Sequence, residues 1–221
     1  MYLGVDIAGA KNTWTCLLEV DGEGRPAWQP PQSGLSLTAI AEMAEDREVR
    51  AAVLDAQLTW SPADENGFRE SDICLRNLLP AEFMPWVASQ NSLMAVPVRG
   101  RQLAELLAPS VGTILETHPR SCLYFFLHLH HPGALGLVRA YKPDQGAAAR
   151  LWELWCAHFG LRPAVPPEPP ALVSDGALDA LVCATVGMLY HLRPGCLLKL
   201  PDYAGNRRGR GPFYVLDPHR H

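Results

Sequence analysis

Short apolar runs, separated by charged or turn-forming residues, predict the strands of a β-sheet. Three of these runs follow one another closely near the N-terminus, and such short connections are typical of antiparallel neighbours. The run at residues 51–54 is apolar throughout, as expected of a strand that helices cover on both faces, and a further run lies at residues 111–115. The predicted strands are residues 2–7, 13–20, 25–29, 51–54 and 111–115.

Longer segments carry apolar residues every three or four positions and predict helices. Ser36 and Ser174 precede two of these segments in the N-cap position, and Pro119 suits the first turn of another. The predicted helices are residues 36–46, 93–107, 119–129, 145–159 and 174–191. This order of elements predicts an α/β fold with a central mixed five-stranded sheet, in which three antiparallel strands are followed by parallel ones and helices flank both faces.

The remaining segments are interpreted as connections. Residues 56–80 are polar and rich in loop-forming residues, and the five prolines within residues 162–170 predict a stiff, extended connector. Residues 206–211 form a basic loop before a short strand at 213–216. This loop is interpreted as a basic turn, with contact to nucleic acid as the alternative.

Carboxylates recur where the predicted strands end. Asp6 lies within the first strand, Asp55 follows the fourth strand and Glu116 follows the fifth. The last helix adds Asp175 and Asp179, which are four residues apart and therefore share a face. Buried carboxylates need a cation, and oxygen ligands of this kind suit Mg²⁺ or Mn²⁺. A pair of such ions would support in-line hydrolysis of phosphodiester bonds.

Basic and histidine side chains around these carboxylates are candidates for binding a phosphate group. Arg69, Asp72 and Arg76 would share a helix face, either as ion pairs or with the arginines on a substrate. The structural interpretation is favoured for Asp72. His118 is a candidate phosphate ligand or general acid, whereas the cluster at 128–131 is interpreted as solvated histidines. The candidate substrate-binding residues are Lys11, Arg69, Arg76, His118, Lys142 and Arg150.

Length and composition fit a cytoplasmic protein with one domain, residues 1–221. The net charge of −4 argues against tight, indiscriminate binding of nucleic acid, although carboxylates that hold cations enter that count. Six scattered cysteines form no C-x-x-C pair, so reduced thiols are expected and a zinc site is not. No signal segment is visible, and the apolar run at 177–190 is too short to span a bilayer, so no membrane partner is expected.

Five motifs occur along the chain in a fixed order: Gly4-Val5-Asp6-x-Ala8-Gly9, Leu54-Asp55-Ala56-x-Leu58-Thr59-Trp60, Arg69-x-x-Asp72-x-x-x-Arg76, Glu116-x-His118-Pro119 and Asp175-x-x-x-Asp179-Ala180. Together they resemble a predicted-nuclease family, the domain-of-unknown-function family four-two-nine, which is assigned a ribonuclease H-like fold. The last motif also resembles the final acidic helix of Holliday-junction resolvases. One departure is Gln57, where the family commonly has proline.

The resemblance implies a divalent-metal-dependent nuclease whose substrate is DNA or RNA. Asp6 would bridge the metal ions and Asp55 and Asp179 would complete the cluster, with Glu116 and Asp175 as further ligands. Activity on nucleic acid is the main hypothesis for the chain. The type of nucleic acid, the metal and the oligomeric state, a dimer included, are left open by the sequence.

Two other classes of function are compatible with the same residues. The segment from Val5 to Lys11 also resembles the first phosphate loop of actin-like sugar kinases. Those enzymes need a second phosphate loop in a duplicated domain, and none is visible in 221 residues. The third hypothesis is a non-catalytic binding protein that keeps the fold and a vestigial site.

Overall fold

The structure, a computed structural model, describes residues 1–60, 63–93, 95–165, 173–202 and 210–221. The strands in these residues are β1 (Tyr2–Asp6), β2 (Trp14–Val20), β3 (Pro26–Trp28), β4 (Gln32–Ser33), β5 (Ala51–Asp55), β6 (Thr113–Glu116), β7 (Arg162–Pro163), β8 (Leu197–Lys199) and β9 (Tyr214–Leu216). The helices are α1 (Leu37–Asp46), α2 (Glu70–Leu78), α3 (Gln90–Leu93), α4 (Ala95–Leu107), α5 (Pro119–His130), α6 (Leu135–Ala140), α7 (Gln145–Phe159) and α8 (Asp175–Leu192).

A mixed sheet organises the molecule, with strand order β6-β5-β1-β2-β3-β7 and β4 beside β2. β1, β2 and β3 are antiparallel neighbours, whereas β5 and β6 run parallel to β1. The predicted α/β class, with a mixed sheet flanked by helices, is therefore confirmed. The two-residue strands β4 and β7 extend the sheet beyond the five predicted strands, and β8 and β9 form a separate antiparallel two-stranded sheet.

Alternation of side chains along β1 assigns each residue to one face of the sheet. Leu3 and Val5 lie in a core that includes residues of α1 and α4. Gly4 and Asp6 point to the opposite face, where α8 packs. A Cβ atom added to Gly4 would lie 1.9 Å from the carbonyl oxygen of Ala180, so glycine is what allows α8 to approach the strand this closely.

Several helix boundaries agree with the sequence and others do not. The hydroxyl groups of Ser36 and Ser174 accept N-cap hydrogen bonds at 3.0 and 3.1 Å, as predicted. The segment at 56–80, interpreted as loop-rich, contains α2, and α6 was not predicted. Both are short helices of nine and six residues, too short to carry a strong periodic pattern.

Two predicted connections fall partly outside the described residues. Within the predicted connector, Arg162–Pro163 forms β7 and pairs with β3, whereas residues 166–170 lie outside the described part of the chain. Most of the basic loop, residues 206–209, also lies outside it. None of the described helices is long and apolar enough to cross a membrane.

Candidate metal centre

Three carboxylates meet at the carboxyl ends of the central parallel strands. Asp6 and Asp55 end β1 and β5 and are direct partners in the parallel register, so their side chains share one face. Asp179 comes down onto the same face from α8, one residue before the helix residue that contacts Gly4. One oxygen atom of each carboxylate lies within 4.8 Å of the other two. The structure thus brings together these three residues, which the sequence assigned to one cluster.

The first turn of α8 also approaches this cluster closely. A Cβ atom added to Gly176 would lie 2.3 Å from Cδ1 of Trp14 and 2.9 Å from Oδ2 of Asp6. Trp14 pairs with Asp6 across the antiparallel ladder between β1 and β2. Gly176 thus allows the helix to start directly against the Asp6 carboxylate.

Two neighbouring residues after α6 bind the buried carboxylate of Asp179. The hydroxyl group of Tyr141 donates to Asp179 Oδ1 at 3.0 Å, and Lys142 Nζ lies 2.5 Å from Oδ2. Lys142 Nζ also lies 3.4 Å from Oδ2 of Asp175. The Lys142 side chain is 38% exposed, whereas that of Asp179 is 1% exposed. The ammonium group of Lys142, which is partly exposed to solvent, therefore forms ion pairs with both Asp175 and Asp179.

Burial and mutual repulsion shift the proton equilibria of the three aspartates. Burial, then the charge of Asp179, raises the pKa of Asp6 to about 7. Burial and the charges of Asp6 and Asp179 raise the pKa of Asp55 well above its ordinary value. Burial also raises the pKa of Asp179, although Lys142 opposes this shift. Burial alone would lower the pKa of Lys142, but the carboxylates outweigh it and the pKa is raised. A cluster of carboxylates with raised pKa values is stabilised by bound protons or by a cation.

The arrangement of oxygen atoms fits a divalent cation with oxygen ligands. Bonds of about 2.1 Å to Mg²⁺ place octahedral ligands roughly 3 to 4 Å apart. The carboxylate oxygens of Asp6, Asp55 and Asp179 lie within 4.8 Å of one another, which is close to that spacing. Asp175, 40% exposed, lies one helical turn from Asp179 at the rim. Asp6, Asp55 and Asp179 are therefore the residues that can hold a cation here, whereas Asp175, predicted as a further ligand, is not among the converging carboxylates and pairs with Lys142 at the rim.

Glu116, predicted as a further ligand, does not belong to this cluster. It pairs with Leu54 in the register between β5 and β6, whereas Asp55 is the next residue along β5. Because side chains alternate along a strand, Glu116 points to the α4 face of the sheet and Asp55 to the α8 face. The structure therefore separates two carboxylates that the sequence placed together.

Arg69, predicted to contact substrate, instead binds Glu116 and Asp72 in the interior. Its NH1 donates to Glu116 Oε2 at 2.8 Å and to Thr59 Oγ1 at 3.1 Å. Its NH2 donates to Glu116 Oε1 and, at 2.6 Å, to Asp72 Oδ1. Its Nε donates to Asp72 Oδ2 at 3.0 Å. All the donors of this fully buried guanidinium are therefore used within the protein, and none remains for a phosphate group.

Arg76 and His118, also predicted to bind substrate, make internal hydrogen bonds. NH1 of Arg76 donates to the carbonyl oxygens of Met84 and Val87 at 2.8 and 2.9 Å. Nδ1 of His118 accepts from the N–H group of Ser121 at 3.2 Å, which caps α5, and Nε2 lies 3.2 Å from the carbonyl oxygen of Trp86. Burial lowers the pKa of His118 to about 4, so the ring is neutral near pH 7.

The remaining predicted cations are in three different environments. Lys142 lies at the carboxylate cluster. Lys11 is exposed on the turn between β1 and β2, and Arg150 forms an exposed ion pair of 2.7 Å with Glu153 on α7. The structure therefore places Arg150 in a surface ion pair.

The histidines near the end of α5 pack against aromatic rings. His128 stacks on Tyr124, and the ring of His130 lies 4.3 Å from that of His158. In the described residues, the three aspartates are the only group of metal-ligating side chains whose ligand atoms converge within 4.8 Å. The histidines do not form a comparable site.

The sequence did not indicate the role of Tyr141, Gly176 or Trp14. Tyr141 follows α6, a six-residue helix without a clear pattern, and it is 38 residues from Asp179 in the sequence, so no local pattern relates the two. The glycine at the second position of a helix was the one available signal, because glycine there indicates a close approach by another group.

No protein-family model, curated protein or solved structure matches this chain.

Proposed function

We propose that this chain is a divalent-metal-dependent phosphodiesterase acting on nucleic acid, built on a ribonuclease H-like fold. The observation that carries the proposal is the convergence of Asp6, Asp55 and Asp179 at the carboxyl edge of the sheet. The strand order, with an antiparallel β1-β2-β3 meander followed by parallel β5 and β6, supports the fold assignment. The motif resemblance supports the choice of nucleic acid as the substrate.

Each residue of the cluster would have a defined task. Asp6 and Asp55 would hold the cation from the strand ends, and Asp179 would hold it from α8. Tyr141 keeps the Asp179 carboxylate oriented through its hydrogen bond at 3.0 Å. Lys142 can leave the Asp179 carboxylate for a phosphate group, because its side chain is partly exposed. When bound, a divalent cation would supply Lewis-acid activation of the phosphodiester and charge neutralisation.

The test is hydrolysis of single-stranded, duplex, hybrid and branched oligonucleotides in the presence of Mg²⁺ or Mn²⁺. Cleavage by the wild type, its loss with a chelator and its loss in Asp6→Asn and Asp55→Asn would support the proposal. Asp46→Asn is the matched control, since Asp46 is exposed at the end of α1 and should leave cleavage unchanged. Absence of cleavage on every substrate by the wild type would refute it.

One observation favours a second candidate, a non-catalytic binding protein. Lys142 Nζ already lies 2.5 Å from Asp179 and partly neutralises the cluster. Calorimetric titration with Mn²⁺ separates the two candidates, because the non-catalytic protein would bind no divalent cation at this site. The phosphotransferase hypothesis stays a prediction, tested by thermal stabilisation with ATP.

A further inference from the structure

An exposed tryptophan follows the strand that carries Asp55. Trp60, five residues after Asp55, is 52% exposed. Cζ of Arg101, from α4, lies 3.2 Å from the centroid of its ring. Because the guanidinium covers one face of the indole, a ligand can stack only on the opposite face. An indole with one free face can stack on a planar group.

Hydrogen bonds to buried polar side chains hold the two residues before Trp60 in place. The N–H group of Leu58 donates to Glu116 Oε2 at 2.8 Å, and Thr59 Oγ1 accepts from Arg69 at 3.1 Å. The carbonyl oxygen of Thr59 accepts from Gln90 Nε2 at 2.5 Å. Glu116 and Arg69, which take no part in the metal centre, thus hold this connection in place. A platform held in this way loses little conformational entropy when a ligand stacks on it.

The guanidinium of Arg101 has few partners of its own. No carboxylate of the described residues lies within ion-pair distance of it, its Nε has no partner there, and NH1 lies 3.4 Å from the carbonyl oxygen of Thr59. Burial and the charge of Arg69 lower the pKa of Arg101 to about 10, which leaves it protonated at neutral pH. Its charge is therefore available to an anion beside the ring.

The neighbouring residues of α4 connect this surface to the strand that carries Asp6. Nε of Arg99 donates to the carbonyl oxygen of Ala8 at 2.8 Å, two residues after Asp6. Lys11 is exposed on the same turn. Trp60 itself is at most about 18 Å from Asp55, the extended length of five residues. Because α4 contacts Trp60 through Arg101 and the turn after Asp6 through Arg99, the surface lies on the α4 side of the edge of the sheet that carries the metal centre.

A planar apolar face beside unpaired cations is the combination that binds single-stranded nucleic acid, where bases stack and phosphates meet basic side chains. We propose that Trp60 and Arg101 form a stacking subsite for a base of a single-stranded segment that continues towards the carboxylates at the same edge of the sheet. This inference deepens the proposed function and rests on it for the identity of the substrate.

The test measures binding separately from cleavage. Fluorescence anisotropy of labelled single-stranded DNA and RNA oligonucleotides is recorded with the full chain in excess chelator, so that no metal-dependent cleavage occurs. Trp60→Ala is expected to weaken binding about tenfold, and Trp60→Phe to retain most of it, since one stacked base contributes on that order. Leu106→Ala, which truncates another exposed side chain of α4, is the matched control and should bind as the wild type does.

In the binding assay, the subsite would be overturned by no binding by the wild type, or by equal binding by the wild type and Trp60→Ala. Thermal unfolding of each variant verifies that the fold is intact. Arg101→Lys keeps the charge but loses the planar group beside the indole, so its binding in the same assay tests whether the planar guanidinium is required. Binding that depends on Trp60 without any cleavage in Mn²⁺ would support the subsite and refute the nuclease. Cleavage with a KM unchanged in Trp60→Ala would support the nuclease and refute the subsite.

Discussion

Replacement of Arg69 by methionine tests whether this residue is a structural cation or a substrate ligand. Methionine keeps the unbranched apolar part of the side chain and removes the guanidinium. Asp72 and Glu116 then remain in the interior, where their side chains are 1% and 2% exposed, without the cation between them. Because both carboxylates lose their charged donors at once, the folded state is expected to be strongly destabilised.

The magnitude follows from burial. Breaking a buried ion pair by removal of one partner costs about 3–5 kcal/mol. In a chain of this size, that loss corresponds to a decrease in Tm of roughly 6–20 °C. The matched control is Arg150→Met, since the ion pair of Arg150 with Glu153 is 59% and 64% exposed. An exposed pair of this kind contributes about 0–1 kcal/mol.

Urea denaturation followed by circular dichroism measures the loss in the free energy of unfolding at pH 7. Its repetition at lower pH measures how that loss depends on pH. The loss in Arg69→Met should decrease as the pH falls. Burial already raises the pKa of Glu116 in the wild type, and without Arg69 that pKa is higher still, so protonation removes the unpaired charge on acidification. A loss no larger than that of Arg150→Met would refute the structural role. An increase in KM without a loss of stability would instead indicate a substrate ligand.

Three further substitutions test the close packing of α8, the capping histidine and the cluster lysine. Gly4→Ala should lower the free energy of unfolding by at least about 1–3 kcal/mol, because the added Cβ would lie 1.9 Å from a backbone oxygen of α8, whereas Gly9→Ala, in open space, should not. His118, with a pKa lowered to about 4 by burial, should lose its contribution to stability as the pH falls from about 6.5 towards 4. His118→Asn, which can still cap but does not titrate, should therefore show a shallower pH profile in urea denaturation over that range. Lys142→Met should cost about 1–3 kcal/mol by leaving Asp179 without its cation, and thermal unfolding should show that Mn²⁺ stabilises this variant more than the wild type.

The sequence was sufficient to predict the central strands and the three aspartates. Asp6 and Asp55 interrupt apolar runs, and an ionised group in such a run indicates a site. Asp179 could be assigned because a carboxylate within the apolar stripe of a helix faces the sheet. Each of these inferences depends on local pattern alone.

Register and long-range pairing could not be predicted in the same way. Glu116 follows an apolar strand just as Asp55 does, yet it is offset by one residue in the ladder and therefore points to the other face. Its partner Arg69 is 47 residues away in the sequence, and no local pattern relates the two. Asp55 and Glu116 occupy equivalent positions at the ends of their strands in the sequence. The sequence alone therefore does not tell which of them belongs to the metal centre and which to the internal ion-pair network.

The two faces of the sheet differ in how their carboxylates are neutralised, and this difference bears on which face has a function. On the α4 face, Glu116 shares with Asp72 of α2 a guanidinium that has every donor engaged, so that group is complete within the protein. On the α8 face, the described residues supply Asp6, Asp55 and Asp179 with one ion-pair partner, Lys142, which contacts only Asp179 among these three and is 38% exposed. The pKa values of all three aspartates are raised, mainly by burial, which means that their ionised forms are under-stabilised by the protein alone. This excess of negative charge is unfavourable for the folded protein alone, and a bound divalent cation would neutralise it. The α8 face is accordingly the face at which a cation should bind.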